Sequence, residues 1–511
     1  MGLSNQQDLR KNLRFRIYEM IPGSLTWLTF ILAIVLSFIK PLWVIYFIII
    51  FDLYWVFRVS YFIFFISLSW RNYRRDIKED WHAKLSELPD WQRIYHIIFL
   101  PTYNESLEVM RRTFSSLVAS EYPTEKFIVV LSGEERAGKE KFLAKVKILK
   151  AEFGDKFFQF IDFVHPEGLP DEAPGKGSNI NYAGHELKKI IDNELKIPYE
   201  NLVVSSFDID TCAHPQYFSC LTYKYLTHPN PQRASYQPIA LYNNNMWESE
   251  APLRVAAFGT TFWLMTDLMR PERLFTFSSH SMSWQMLVDV DFWEKDIVTE
   301  DSRIFLQGFL HYDGDYSVTP IFVPVSMNTV AGATWWEGLK ALYKQQRRWA
   351  WGVEHTPYMM WHFRQKRKEG KIKLRKRMHY LWNLTEGMYS WATVPILITI
   401  LGRLPLYLAR DADKATVIAQ NAPFVLEWLM MLAMSGIFVS GILSLALLPP
   451  RPNQTPRHKY LIMALQWALL PVTLILFGSI PAVDAQTRLL IGGKARLGFW
   501  VSPKKHGTDN T

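Results

Sequence analysis

The chain has 511 residues, 57 Lys and Arg against 48 Asp and Glu, and a formal charge of +9. That length exceeds one ordinary core, and a near-neutral mean hydropathy hides apolar residues gathered toward both ends, the pattern of membrane spans flanking a water-soluble domain. Much of the basic charge sits beside those apolar runs, at residues 71–75 and 364–377, which reads as membrane flank and excludes nucleic acid as the expected partner.

Residues 1–20 are polar and charged, without a short apolar core and small-residue cleavage site, so no cleaved signal peptide is expected and the first span should be retained. Residues 25–39 and 42–70 are almost continuously apolar around Lys40-Pro41, with Asp52 and Arg58 the only full charges inside them. These predict two spans joined by a tight turn. Asp52 and Arg58 either mark a polar pathway or pair with each other or with headgroups. Both outer flanks, 10–16 and 71–75, are basic, so the positive-inside rule puts the following domain in the cytosol. Cys212 and Cys220 are the only cysteines and fall in that domain; neither a disulfide framework nor a Cys-based zinc site is expected.

Between about residues 90 and 335, β-rich runs at 94–100, 127–131, 160–164 and 202–206 alternate with amphipathic stretches, predicting an α/β domain whose ligand loops follow the strand ends. A helix over 336–363, rich in Trp, Tyr and Met on one side and in Lys and Arg elsewhere, suits a membrane interface. Apolar segments follow at 380–400, 424–448 and 460–480. Five spans from a cytosolic amino end would leave the carboxyl tail outside, yet the basic tail at 494–505 belongs inside. A re-entrant or interfacial piece, 404–422 or 481–491, is therefore expected to restore the parity.

Three motifs carry chemistry. Asp208 and Asp210, one residue apart after an apolar run, suit a hard divalent cation, Mg²⁺ or Mn²⁺, completed by water and diphosphate oxygens; a solvated acidic turn is the plainer reading. Glu300 and Asp301 offer adjacent carboxylates, one able to take a proton from an acceptor hydroxyl. Their plainer reading is an acidic first turn of a helix. Gln345-Gln346-Arg347-Arg348-Trp349 combines amide donors, guanidinium and indole: Arg348 can clamp phosphate and stabilise a leaving diphosphate, and Trp349 offers a flat face to a sugar, interfacial anchoring being the alternative.

In this order, with the paired amino-terminal spans and the carboxyl-side spans, these motifs resemble the processive branch of family-2 glycosyltransferases, which includes cellulose, hyaluronan and chitin synthases. The resemblance implies a cytosolic GT-A-like (Rossmann-like) nucleotide-sugar domain inserted between α-helical transmembrane segments: spans in 1–75, catalytic domain 76–335, interfacial helices 336–379, further spans 380–491 and a basic tail 492–511 of a multi-pass plasma (inner) membrane protein. It implies that Thr102 and Glu105 touch base or ribose, that Lys176, Asn179 and Asn181 form a loop on the diphosphate, and that Gly259 and Thr260 lie in a loop lining the acceptor terminus beside Trp349. Asp208, Gln345, Arg348 and Trp349 would complete the donor site, Asp208 and Asp210 would hold the metal, and Asp301, with Glu300 and Arg348, would carry catalysis. Residues 499–504 resemble a shortened gating loop, with Ser502 where Thr is usual. One departure stands out: an Asp expected after the second strand is absent, and Glu134 or Glu135 would take its place.

The expected function is inverting transfer of a sugar from a nucleotide sugar, a UDP-sugar, to a growing polysaccharide, coupled to export. The rivals are a non-processive transferase acting on a lipid acceptor, and a nucleotide-sugar-binding transporter or scaffold.

Overall fold

A computed structural model describes residues 9–367, 371–409 and 416–498. At its centre lies an eight-stranded mixed sheet of order β3-β2-β1-β4-β7-β6-β8-β5. The strands are β1 (Tyr95–Pro101), β2 (Phe127–Glu134), β3 (Gln159–His165), β4 (Leu202–Ser206), β5 (Cys212–Ala213), β6 (Ala234–Leu241), β7 (His280–Ser283) and β8 (Ser317–Ser326). The first four coincide with the β-rich runs of the sequence and pair in parallel, His96 opposite Phe127 and Tyr95 opposite Leu202. Those runs are apolar at consecutive positions because both faces are covered. Ile97 and Phe99 enter one core while Ile98 and Leu100 enter the other, each fully buried side chain contributing roughly 1.5–3 kcal/mol. β7 runs antiparallel to β4, and the order reverses around β1, opening a crevice at the carboxyl ends of β1 and β4.

Two long helices precede the sheet, α1 (Leu13–Ile39) and α2 (Pro41–Asp76). Lys40 separates them, and Pro41 opens α2 where its missing N–H costs nothing. At 36 residues α2 is about 54 Å long, well beyond a hydrocarbon core, and its second half enters the sheet domain, placing Ile66 in the main core. Within the domain, α3 (Lys176–Ile190) and α5 (Glu300–His311) flank the crevice, and α4 (Ala251–Leu268) packs on the sheet beside β6. Then come α6 (Trp335–Ala350), which is amphipathic as expected, and α7 (His355–Arg367). After them, α8 (Leu374–Thr399) bends by 44° into the short Leu401–Leu408 segment, and Val417–Ala446 (α9) and Lys459–Ile491 (α10) follow.

Among the described residues four helices, α1, α2, α9 and α10, are long and apolar enough to cross a membrane, and the bent pair makes five. Side-chain contacts give their directions. α8 runs alongside α1, with Tyr389 on Thr29 and Leu397 beside Phe30, and its bent end reaches the far turn, Gly402 meeting Ile48. α9 returns along α2, from Ala422 beside Ile45 to Gly436 against Val59. The segment that turns back is α10. Lys459 Nζ donates to Trp247 O (2.6 Å) in the sheet domain, Ser479 Oγ donates to Trp391 O (3.0 Å) midway along α8, and at the end Arg16 Nη1 donates to Leu489 O (2.7 Å). Both ends thus lie on the sheet side. A 3-10 stretch at Gln466–Leu469, Pro471, a π-helical stretch at Leu474–Ser479 and Pro481 break its course. The candidate 404–422 instead contains the far-side end of α8 and the start of α9, while 481–491 is only the returning limb of α10.

Candidate active site

At the carboxyl edge of the sheet, a cleft open to solvent is lined by residues from β1, β2, α3, α5 and α6 and by the segments that follow β4, β6 and β8. After β1, Glu105 Oε2 accepts from Thr102 Oγ1 (2.7 Å) and Tyr103 N (2.8 Å), closing a tight turn on the wall. After β2, buried Glu134 faces the cleft and pairs with Arg136, whose guanidinium lies over the Tyr103 ring. Glu135 points elsewhere, accepting from Glu167 N (3.1 Å).

Lys176 occupies the centre. Its ammonium is 3.0 Å from Asp208 Oδ1, 2.8 Å from Asp301 Oδ1 and 3.7 Å from Glu300 Oε1. Burial works against its charge, but Asp208, Asp301 and Glu300 together outweigh that cost and hold its pKa above the ordinary lysine value. Glu300 is pushed up to about 7, first by burial and then by the neighbouring Asp301 charge, with Lys176 and Arg348 pulling the other way. Both carboxylates lie in the first turn of α5, so the acidic helix start and the paired carboxylates of the sequence are one feature. Gly177 permits this closeness: a Cβ there would stand 2.9 Å from Glu294 O and 3.3 Å from Glu300 Cβ.

Asp208 also accepts from Ser278 Oγ (2.7 Å), and Asp210 Oδ2 accepts from Asn328 N (3.0 Å). Among the described residues no group of three His, Cys, Asp or Glu could hold a metal. Two hard oxygen donors on the cleft wall nevertheless fit Mg²⁺ or Mn²⁺ of the kind that takes its remaining ligands from water and phosphate. From α6, Gln345, Arg348 and Trp349 line the opposite side, Trp349 packed between Tyr242 (5.9 Å) and Phe277 (6.0 Å). Arg347 turns away to Asp484 of α10 (2.8 Å).

The cleft therefore brings together Thr102, Glu105, Lys176, Asn179, Asp208, Asp210, Glu300, Asp301, Gln345, Arg348 and Trp349. Three expected residues stand apart. Asn181 donates to Trp293 O (2.7 Å) on the far side of α3, and the stretch expected as a phosphate loop is the opening of that helix. Gly259 and Thr260 do not line the cleft and are not in a loop: they lie inside α4, where Thr260 Oγ1 bonds back to Ala256 O (3.1 Å) and Thr261 to Ala240 O (2.9 Å). Burial of α4 against the sheet overrides the weak helix propensity of Gly-Thr-Thr. Residues 499–504, the gating-loop candidate, lie outside the described residues. Conversely, Tyr242, Ser278 and Asn328 were not foreseen. They follow or precede β6, β7 and β8, and a search for polar residues beside every strand end would have found them.

A mannosyltransferase from Pyrobaculum calidifontis, solved with GDP-mannose and Mn²⁺, superposes with a TM-score of 0.44 at 16% identity, covering 78% of this chain and 99% of that one. Residues 1–349 of Staphylococcus aureus TarS, solved with UDP-GlcNAc, give 0.36 at 12% identity, covering 68% and 90%. No curated protein matches the sequence. The family model described as "Glycosyl transferase family group 2" matches residues 203–480, more than half of the chain, from β4 and the two carboxylates after it through α5 and α6 into the second half of α10. With a GT-A-like mixed sheet between helical flanks, the chain belongs to glycosyl transferase family group 2.

Proposed function

We propose that this transferase moves a sugar, with inversion, from a UDP-sugar to a growing polysaccharide, from a cytosolic domain held at the plasma (inner) membrane. The observation that carries the reading is Lys176, buried at the meeting point of Asp208, Glu300 and Asp301 in a cleft shared with Arg348. A lysine so placed exchanges carboxylates for the diphosphate of an incoming donor.

Asp208 and Asp210 would hold a divalent cation, which supplies charge neutralisation for the diphosphate. Asp301 takes the proton of an acceptor hydroxyl as its oxygen bonds to the anomeric carbon. The carbon–oxygen bond to the diphosphate breaks on the opposite face, which inverts the centre. Lys176 and Arg348 stabilise the charge gathering on the departing phosphate oxygens. Trp349, backed by Tyr242 and Phe277, presents the acceptor sugar's apolar face with a platform.

The amino end, the connection from α9 to α10 and the end of α10 share one side, which supports a common cytosolic placement for the sheet domain and the basic flanks. The ion pair Arg58–Glu386 (3.3 Å), between α2 and α8, supports a polar seam by which product leaves. Detergent-purified protein is incubated with Mn²⁺ and a panel of nucleotide sugars, and nucleoside diphosphate release and product length are followed for wild type and D301N. Release by wild type alone with a polymeric product is expected. A single sugar on a lipid would replace the polysaccharide reading, and D301N turnover near wild type would remove Asp301 as the base.

A further inference from the structure

Beneath the cleft lies a second set of buried charges that lines none of it. Arg303 is wholly buried, its Nη1 donating to Glu294 Oε2 (2.6 Å) and its guanidinium 3.7 Å from the centre of the Tyr358 ring. Glu354 and His355, at the junction between α6 and α7, are also buried. We propose that Glu354 and His355 are positioning residues, holding the 299–302 turn, and with it Glu300 and Asp301, in register with the 345–349 stretch across the cleft.

Thr299 stands at the N-cap of α5 but makes no cap bond. Its hydroxyl instead donates to Glu354 Oε1 (3.0 Å). On the other side of the two carboxylates, Ser302 Oγ meets His355 Nε2 at 2.7 Å. His355 Nδ1 accepts from Arg303 Nε (3.2 Å), so the ring proton sits on Nε2 and is donated to Ser302. Burial and the Arg303 charge push the His355 pKa well below normal, keeping the ring in this neutral form. Glu300 and Asp301 are thus bracketed by two hydroxyls, both fixed to the pair that directly continues the helix bearing Gln345, Arg348 and Trp349. Arg10, 3.8 Å from Glu354 Oε2, extends the tie to the segment before α1. A base and a leaving-group clamp on different elements work only while their spacing holds, and misplacement by about 1 Å can cost about a hundred-fold in rate.

The inference rests on Asp301 acting as the base, and the test separates the two ideas. T299V and S302A remove the hydroxyls while leaving Glu354, His355 and Arg303 themselves in place, and E354Q keeps an acceptor for Thr299 while weakening the tie to Arg10. Turnover, UDP and GDP affinity by titration calorimetry and thermal midpoint are measured for these variants, E354A and D301N. T299V and S302A should lose about ten- to a hundred-fold in kcat with nucleotide affinity within about two-fold of wild type. E354Q should keep most activity, and T299V/E354A should be no slower than E354A alone. Wild-type kcat in T299V and S302A beside an inactive D301N overturns the positioning role alone, whereas an active D301N overturns the base assignment. Parallel loss of kcat, nucleotide affinity and thermal midpoint also overturns it, leaving a purely structural network.

Discussion

Glu300 and Lys176 respond to the cleft in opposite ways, the carboxyl held toward its neutral form and the ammonium held in its charged form. For Glu300 the sign is unfavourable to the folded state: its pKa rises from 4.5 unfolded to about 7 folded. Its contribution to stability is therefore full below about pH 4.5 and is lost as the pH rises through 7. E300Q should abolish that dependence. Between pH 5 and 8 the thermal midpoint of wild type should fall relative to E300Q, and parallel curves would show that Glu300 is ionised throughout. Replacing Lys176 by Met leaves three carboxylates facing each other without their cation, a loss of about 3–5 kcal/mol by the measure of broken buried pairs. K176M should therefore unfold earlier in denaturant and release no nucleotide. The paired carboxylates and the Gln-Gln-Arg-Arg-Trp run were legible in sequence because their chemistry is local to a few residues. Ser278 and Asn328 were not, because each earns its place only by meeting Asp208 or Asp210 across the sheet.

Among elements, β1 to β4 announced themselves because burial on both faces makes a strand apolar at consecutive positions. β6 and β7 are as deeply buried but carry Ser235, Gln237, Ser281 and Ser283, whose hydroxyl and amide groups find internal partners, so their sequences do not read as core strands. α4 was hidden by its Gly-Thr-Thr, and the opening of α3 by a polar, glycine-bearing start. That start is also closely packed, Gly177 against Glu294 O and Glu300 Cβ. G177A should force α3 and α5 apart, costing about 1–3 kcal/mol as overpacking does, with a larger loss of turnover than of stability because Lys176 moves relative to Asp301. Equal thermal midpoints and equal turnover for G177A and wild type would contradict this contact.

For the molecule as a whole, hydropathy located every long apolar helix but not the direction of the last one, because composition does not record which neighbours hold its two ends. With Cys212 and Cys220 replaced, single cysteines at Thr455, Lys494 and Lys40 can be probed in sealed vesicles with an impermeant maleimide. Thr455→Cys and Lys494→Cys should label from the same side and Lys40→Cys from the other. Lys494→Cys labelling together with Lys40→Cys would make α10 a true crossing.

A helix that enters and leaves by one face, and that grips Arg347, next to the proposed diphosphate clamp Arg348, through Asp484, would give the two halves of a bilayer unequal authority over the reaction. In the proposed membrane placement, lipids of the near leaflet would press on α10 and hence on α6, while those of the far leaflet would meet only the far halves of α1, α2, α8 and α9. In asymmetric vesicles, the composition of the leaflet facing the sheet domain should set turnover, and the opposite leaflet should leave it unchanged.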